Sequence, residues 1–297
     1  MKHPAGIRII GAASGLGAQD HACADGPIAF HHSHAWQALA HHPRLDWGKT
    51  LFAPSADGLS PTARIAALCR NLADEVQQTL QQQQFPVVLG GDHSVAIGTW
   101  SGVARHLGQP LGLLWIDAHL DSHTPQSTYS GAIHGMPLAC LLGRGDKRLL
   151  SIGLNDVQID AAHCAVFGAR SYEPEEIDLL QQLGVRVFTV NELEARGFAI
   201  CLDEALARVR AAPAGFGVTI DLDVVDPQLA PGVGSPEPDG LWDGDLLLAL
   251  RRMAGLPDLR ALEIVEYNPD RDRHAATALL MADLIAQLLP AGRSPTR

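Results

Sequence analysis

Three short clusters of acids and histidines have the residue types and spacing of a metal site: Gly90-Gly91-Asp92-His93-Ser94, Asp117-Ala118-His119-Leu120-Asp121 and Asp221-Leu222-Asp223. Each directly follows an apolar run, PVVL, LGLLWI and FGVTI respectively. Side chains two apart on an extended chain point to the same face. Asp117, His119 and Asp121 can therefore converge, as can Asp221 with Asp223. Gathering so many carboxylates without a counter-charge is costly, and a bound cation removes that cost. Asp117, Asp121, Asp221 and Asp223 carry four negative charges, while His93 and His119 can serve as neutral ligands. Two divalent ions balance that set. Oxygen-rich ligation with imidazole and no thiolate suits Mn²⁺ better than Zn²⁺. Two such ions about 3.5–4 Å apart can share a water and lower its pKa, giving a hydroxide nucleophile near neutral pH. That is hydrolase chemistry. A single D-x-D or D-x-H commonly just caps the next helix; three such motifs, all at strand ends, carry the metal reading together.

The elements that must position these residues are legible as alternating apolar and amphipathic segments. Ile7–Ala12, Pro86–Gly91, Leu111–His119, Cys164–Arg170, Val185–Val190, Phe216–Pro227 and Leu259–Glu266 read as strands, rich in Val, Ile and Leu as in strands covered on both faces. Pro61–Gln84, Glu175–Leu183, Leu202–Ala212, Asp243–Ala254 and Ala275–Leu289 read as helices, with Ile65, Leu68, Cys69 and Leu72 at helical spacing in the first. The alternation predicts an α/β fold of three α/β/α layers, a mostly parallel sheet flanked by helices. No repeat or linker is visible, so residues 1–297 read as one domain. In such a sheet, function collects beyond the carboxyl ends of the strands, where the three clusters lie. The glutamine-rich run Gln77–Gln84 reads as the solvated end of a helix. His31, His32, His34, His41 and His42 lack neighbouring carboxylates or thiols and suit a surface helix after the turn Ala24–Pro27.

Composition excludes several classes. Of 297 residues, 46% are hydrophobic and 19% charged, which is ordinary for a globular protein. With 22 basic and 33 acidic side chains the net charge is −11, which argues against nucleic acid or an anionic membrane as partner and favours cations. Cys23, Cys69, Cys140, Cys164 and Cys201 form no C-x-x-C pair and read as reduced thiols. Arg8 interrupts the N-terminal apolar stretch MKHPAGIRII, so no signal peptide is expected there, and no segment has the run of apolar residues a membrane span needs. A cytoplasmic location is expected.

The three motifs resemble those of the arginase–agmatinase (ureohydrolase) family and stand nearest to arginase. IIGA near Ile9, ADGP at Ala24–Pro27 and LEIVEYNP at Leu262–Pro269 extend the resemblance over nearly the whole chain. It implies an arginase-like fold, two Mn²⁺ per subunit, and hydrolysis of a small guanidino substrate to urea and an amine. It also implies His93, Asp117, Asp121 and Asp221 around one ion, with His119, Asp117, Asp221 and Asp223 around the other, Asp117 and Asp221 bridging. Asp121 would orient the nucleophile, Glu266 would pair with the guanidinium through charge-assisted hydrogen bonds, and His134 would pass a proton to the leaving amine. For the substrate's tail, Ser130 matches a serine of the arginase pattern, while His123 replaces an asparagine that holds the carboxylate. Glu176 matches a glutamate at the amino end; Glu173 and Ser171 each stand where aspartate is usual. Family members are usually homotrimers or homohexamers. The expected reaction is L-arginine to L-ornithine and urea, with agmatine, guanidinobutyrate or another guanidino acid as the alternative substrate. A one-zinc deacylase on the same scaffold would not need the complete set of six ligands, and a non-catalytic metal-binding role would not need His134 and Glu266.

Overall fold

The computed structural model describes residues 6–55, 58–153 and 157–289. Eight strands form its sheet: β1 (Ile7–Ala13), β2 (Leu45–Phe52), β3 (Phe85–Gly90), β4 (Leu111–Ile116), β5 (Ile159–Ala169), β6 (Arg186–Thr189), β7 (Phe216–Asp221) and β8 (Leu259–Val265). They lie in the order β2-β1-β3-β8-β7-β4-β5-β6, and every pair is parallel. The helices are α1 (Gly26–His32), α2 (His34–Leu39), α3 (Pro61–Gln81), α4 (Ala96–Leu107), α5 (Pro137–Leu141), α6 (Lys147–Leu150), α7 (Pro174–Leu183), α8 (Val190–Arg196), α9 (Phe198–Arg210), α10 (Asp243–Ala254) and α11 (Ala276–Gln287).

Strand periodicity divides the core into two layers. Ile9, Val87, Leu89, Leu114, Ile116, Leu262 and Ile264 face one side, where α1, α2, α8, α9, α10 and α11 bury their apolar residues. Their neighbours Ile10, Val88, Leu113, Trp115, Ala261 and Val265 face the other side, against α3, α4, α5 and α7. Coverage on both faces explains why the central strands read as unbroken apolar runs.

Helix α3 begins at Ser60, whose hydroxyl accepts from the Ala63 N–H at 3.3 Å, with Pro61 in its first turn. It ends at Gln81, three residues short of the expected boundary, and Gln83 adopts a positive φ of 58°. The histidine cluster spreads over α1, α2 and the turn after them, and His31 stacks on Trp47 at 3.9 Å. None of those histidines joins a metal-holding group among the described residues. The five cysteines are buried and unpaired, and no helix of the described residues is long and apolar enough to cross a membrane. Met1–Ala5, the start of the stretch considered for a signal peptide, lie outside the described residues.

Candidate metal centre and active site

The four central strands β3, β8, β7 and β4 are contiguous in the sheet. The chain leaving each of their carboxyl ends delivers His93, Glu266, Asp221 with Asp223, and Asp117 with His119 and Asp121, to one place. The local route differs from simple strand alternation. Strand β4 stops at Ile116, Asp121 takes a left-handed φ of 47°, and Leu222–Val224 is a 3-10 turn. Hydrogen bonds hold these irregular segments: the His119 N–H donates to Asp117 Oδ1 at 2.7 Å, the Asp223 N–H to Asp221 Oδ1 at 3.0 Å, and the Ala118 N–H to Asp223 Oδ1 at 3.3 Å. Asp92 caps the turn that carries His93 by accepting from the Ser94 N–H at 2.9 Å.

His93 Nδ1 lies 3.2 Å from Asp117 Oδ2, 3.0 Å from Asp121 Oδ2 and 3.2 Å from Asp221 Oδ2. It is buried and makes no hydrogen bond of acceptable geometry with any of them. Its other nitrogen, Nε2, is 3.1 Å from the Thr219 hydroxyl, which donates to Glu263 Oε2 at 2.8 Å. Thr219 thus spends its proton on Glu263 and takes the one on His93 Nε2. That leaves Nδ1 turned to the three carboxylates, the arrangement of a metal ligand once an ion takes the place of a proton. His119 Nδ1 lies 3.1 Å from Asp223 Oδ2 and 3.5 Å from Asp117 Oδ1. Asp117 therefore turns one oxygen to each histidine. Two groups could hold a metal here, His93-Asp117-Asp121 and Asp117-His119-Asp223.

The electrostatics fit the same occupant. Burial pushes Asp221 well above the usual carboxylate range, and Asp223 and Asp117 push it further. Burial and the charge of Asp117 raise Asp121 to about 6. Burial alone would lower His93, but Asp117, Asp121 and Asp221 outweigh it and raise the imidazole well above its ordinary value. The cluster lacks positive charge and draws protons in its place. Divalent cations are what these donors suit.

Beside the centre is a cavity of about 200 Å³ lined by His119, Asp121, Asp221, Asp223, His134 and Glu266, with His123, Ser130, Glu173 and Glu176 at its outer end. His93 and Asp117 do not line it. Glu266 has a left-handed φ of 66° and is fixed by its N–H donating to Gly91 O at 2.8 Å. Its Oε1 accepts from the His93 N–H at 2.9 Å and lies 3.1 Å from His134 Nδ1; its Oε2 accepts from the Cys23 thiol at 3.2 Å. Gly234 packs closely on this carboxylate: a Cβ there would stand 2.3 Å from Glu266 Oε2 and displace it.

At the outer end, His123 Nε2 lies 3.1 Å from Glu173 Oε2 and 3.6 Å from Glu176 Oε2. The residues expected to meet the carboxylate and the amino group, both carried by the substrate's α-carbon, are thus neighbours and contact each other. Glu176 and Glu173 form a capping box at the start of α7. Burial raises Glu176 to about 8. Ser130 is exposed and accepts from the Ala132 N–H at 3.1 Å. Spacing alone did not reveal Thr219 or Glu263, nor Thr99, whose hydroxyl donates to Glu263 Oε1, though a glutamate inside the apolar run LRALEIV was a signal for Glu263.

Comparison with known proteins decides the family. The arginase family model matches residues 5–290. The chain belongs to the arginase family. It is 40% identical to the arginase of Brevibacillus brevis over 217 residues, covering 73% of this chain and 72% of that one. It is 38% identical to the arginase of Bacillus caldovelox over 224 residues, 75% of each. The crystal structure of Bacillus subtilis arginase superposes with a TM-score of 0.88 at 32% identity, over 97% of this chain and 100% of that one. The arginase-family fold accounts for the parallel sheet and its flanking helices.

Proposed function

We propose that this chain is an arginase, hydrolysing L-arginine to L-ornithine and urea with two manganese ions per subunit. Membership of the arginase family makes it a hydrolase of the guanidino C–N bond. The observation that carries the metal reading is the buried, unpartnered Nδ1 of His93 facing three carboxylates. His93, Asp117, Asp121 and Asp221 would hold one ion, and His119, Asp117, Asp221 and Asp223 the other. When bound, the ions supply Lewis acidity and make water a nucleophile at neutral pH.

The chain's own residues do the rest. Glu266 turns its carboxylate to the cavity and binds the guanidinium through charge-assisted hydrogen bonds. Asp121 accepts a hydrogen bond from the attacking water and orients it. As the C–N bond breaks, His134 gives its proton to the departing amine, which leaves as ornithine. His123 and Ser130 meet the substrate's α-carboxylate, and Glu173 and Glu176 its α-amino group. Residues 1–297 act as one domain, in the cytoplasm, within a homotrimer or homohexamer.

Urea release measured side by side from L-arginine, agmatine and 4-guanidinobutyrate, with Mn²⁺ present, tests the proposal. The expected preference is for arginine. A preference for agmatine above about tenfold, equal to roughly 1.4 kcal/mol of transition-state binding, would overturn it.

A further inference from the structure

On the segment after β7, Glu237 places Oε1 3.6 Å from Nε2 of His119, the ring nitrogen opposite the one that faces Asp117 and Asp223. That distance is a close polar contact, longer than a hydrogen bond. The same oxygen accepts the Ser171 hydroxyl at 3.1 Å. Ser171 thus holds a carboxylate supplied by another segment.

The backbone is fixed as firmly as the side chain. Arg170 Nη2 donates to Glu237 O at 2.8 Å and to Asp223 O at 2.7 Å. Its Nε donates to Pro238 O at 2.8 Å and its Nη1 to Val224 O at 3.2 Å. One guanidinium therefore sets the position of the carboxylate that faces His119 Nδ1 and of the residue whose carboxylate faces Nε2. A metal-binding imidazole is commonly oriented in this way, its outer nitrogen directed at a carboxylate while the inner one keeps its lone pair for the ion.

We propose that Glu237, held by Ser171 and Arg170, is a positioning residue that orients His119 toward the ion it shares with Asp117 and Asp223. The inference rests on the two-metal reading above and adds to it a residue outside the ligand set.

The test is Mn²⁺ titration of the metal-stripped full chain by calorimetry, with bound metal counted by elemental analysis. The wild type should take two ions in resolvable steps, and His119→Asn identifies which step belongs to the His119 side. Glu237→Gln should weaken that step by about 10- to 100-fold, the usual effect of losing such a partner. The other step should change by less than twofold, and the melting temperature of the metal-free protein should not move. Glu237→Asp should retain more affinity than Glu237→Gln. Ser171→Ala, which removes the holder and leaves the charge, should weaken the same step by a smaller factor. Both steps unchanged in Glu237→Gln, or both weakened equally, would overturn the inference while the two-metal reading stood. A wild type that binds fewer than two ions would overturn that reading and this inference with it.

Discussion

His134 couples an assigned role to a measurable pH. Burial on its own would lower its imidazole, but the hydrogen bond and charge of Glu266 outweigh burial and raise it to about 9. The imidazolium that the proposed proton transfer calls for is therefore favoured at neutral pH and is lost as pH rises through about 9. The profile of kcat should show an alkaline limb near that pH, and His134→Asn should erase the limb and lower kcat by about 10²- to 10⁴-fold. A limb that survives the substitution would show that another group donates the proton. The same shift acts on stability: the pair's contribution is complete below the ordinary value of 6.5 and disappears as pH passes about 9. The acids and histidines of the centre were legible in the sequence because each cluster is short and follows a strand. Thr219, Glu263, Arg170 and Glu237 were not. Each is a single polar residue whose partner lies 44 to 126 positions away, as for Thr219 with Glu263 and His93, and only the folded sheet brings such pairs together.

At the scale of elements, long apolar runs announced seven of the strands; β2 and the helices α4, α5, α6 and α8 were not read from the sequence, and for β2 and α4 the reasons are physical. β2 is an edge strand of mixed exposure with Gly48 inside it, so it shows neither a buried run nor a clean alternation. α4 is buried from Ala96 to Ala104, and Gly98, Thr99 and Gly102 lower the helix propensity of a short segment. Yet α4 is what presses on the strand that carries Asp221. Trp100, fully buried, lies over Gly217 of β7 so closely that a Cβ there would stand 1.9 Å from the indole ring. Gly217→Ala must move the tryptophan or the strand, and overpacking of this kind costs about 1–3 kcal/mol. The urea midpoint should fall accordingly, and Mn²⁺ affinity should fall with it because Asp221 and Asp223 follow directly from β7. An unchanged midpoint would mean that the helix and strand are not in rigid contact.

For the whole molecule, the sequence displayed the layers but not the strand order, because parallel strands joined by helices look alike wherever they sit in the sheet. That order puts the four site-bearing strands side by side and crowds buried carboxylates at their ends, in a chain already carrying a net charge of −11. On the proposed two-ion reading, cations offset that crowding. Metal-free protein should accordingly be destabilised by its own active site. Asp221→Asn tests this, since an asparagine Oδ1 can still accept the Asp223 N–H bond seen at 3.0 Å while the charge repelled by Asp223 and Asp117 is gone. Without metal the variant should melt above the wild type. With saturating Mn²⁺ the order should reverse, because a ligand at about 100 times its Kd adds roughly 2.7 kcal/mol to a protein that binds it, and the variant has lost a ligand. Calorimetric scans of both proteins with and without Mn²⁺ read the crossing directly. A wild type that is the more stable in both conditions would mean that these carboxylates support the fold on their own, and that the cluster owes nothing to cations.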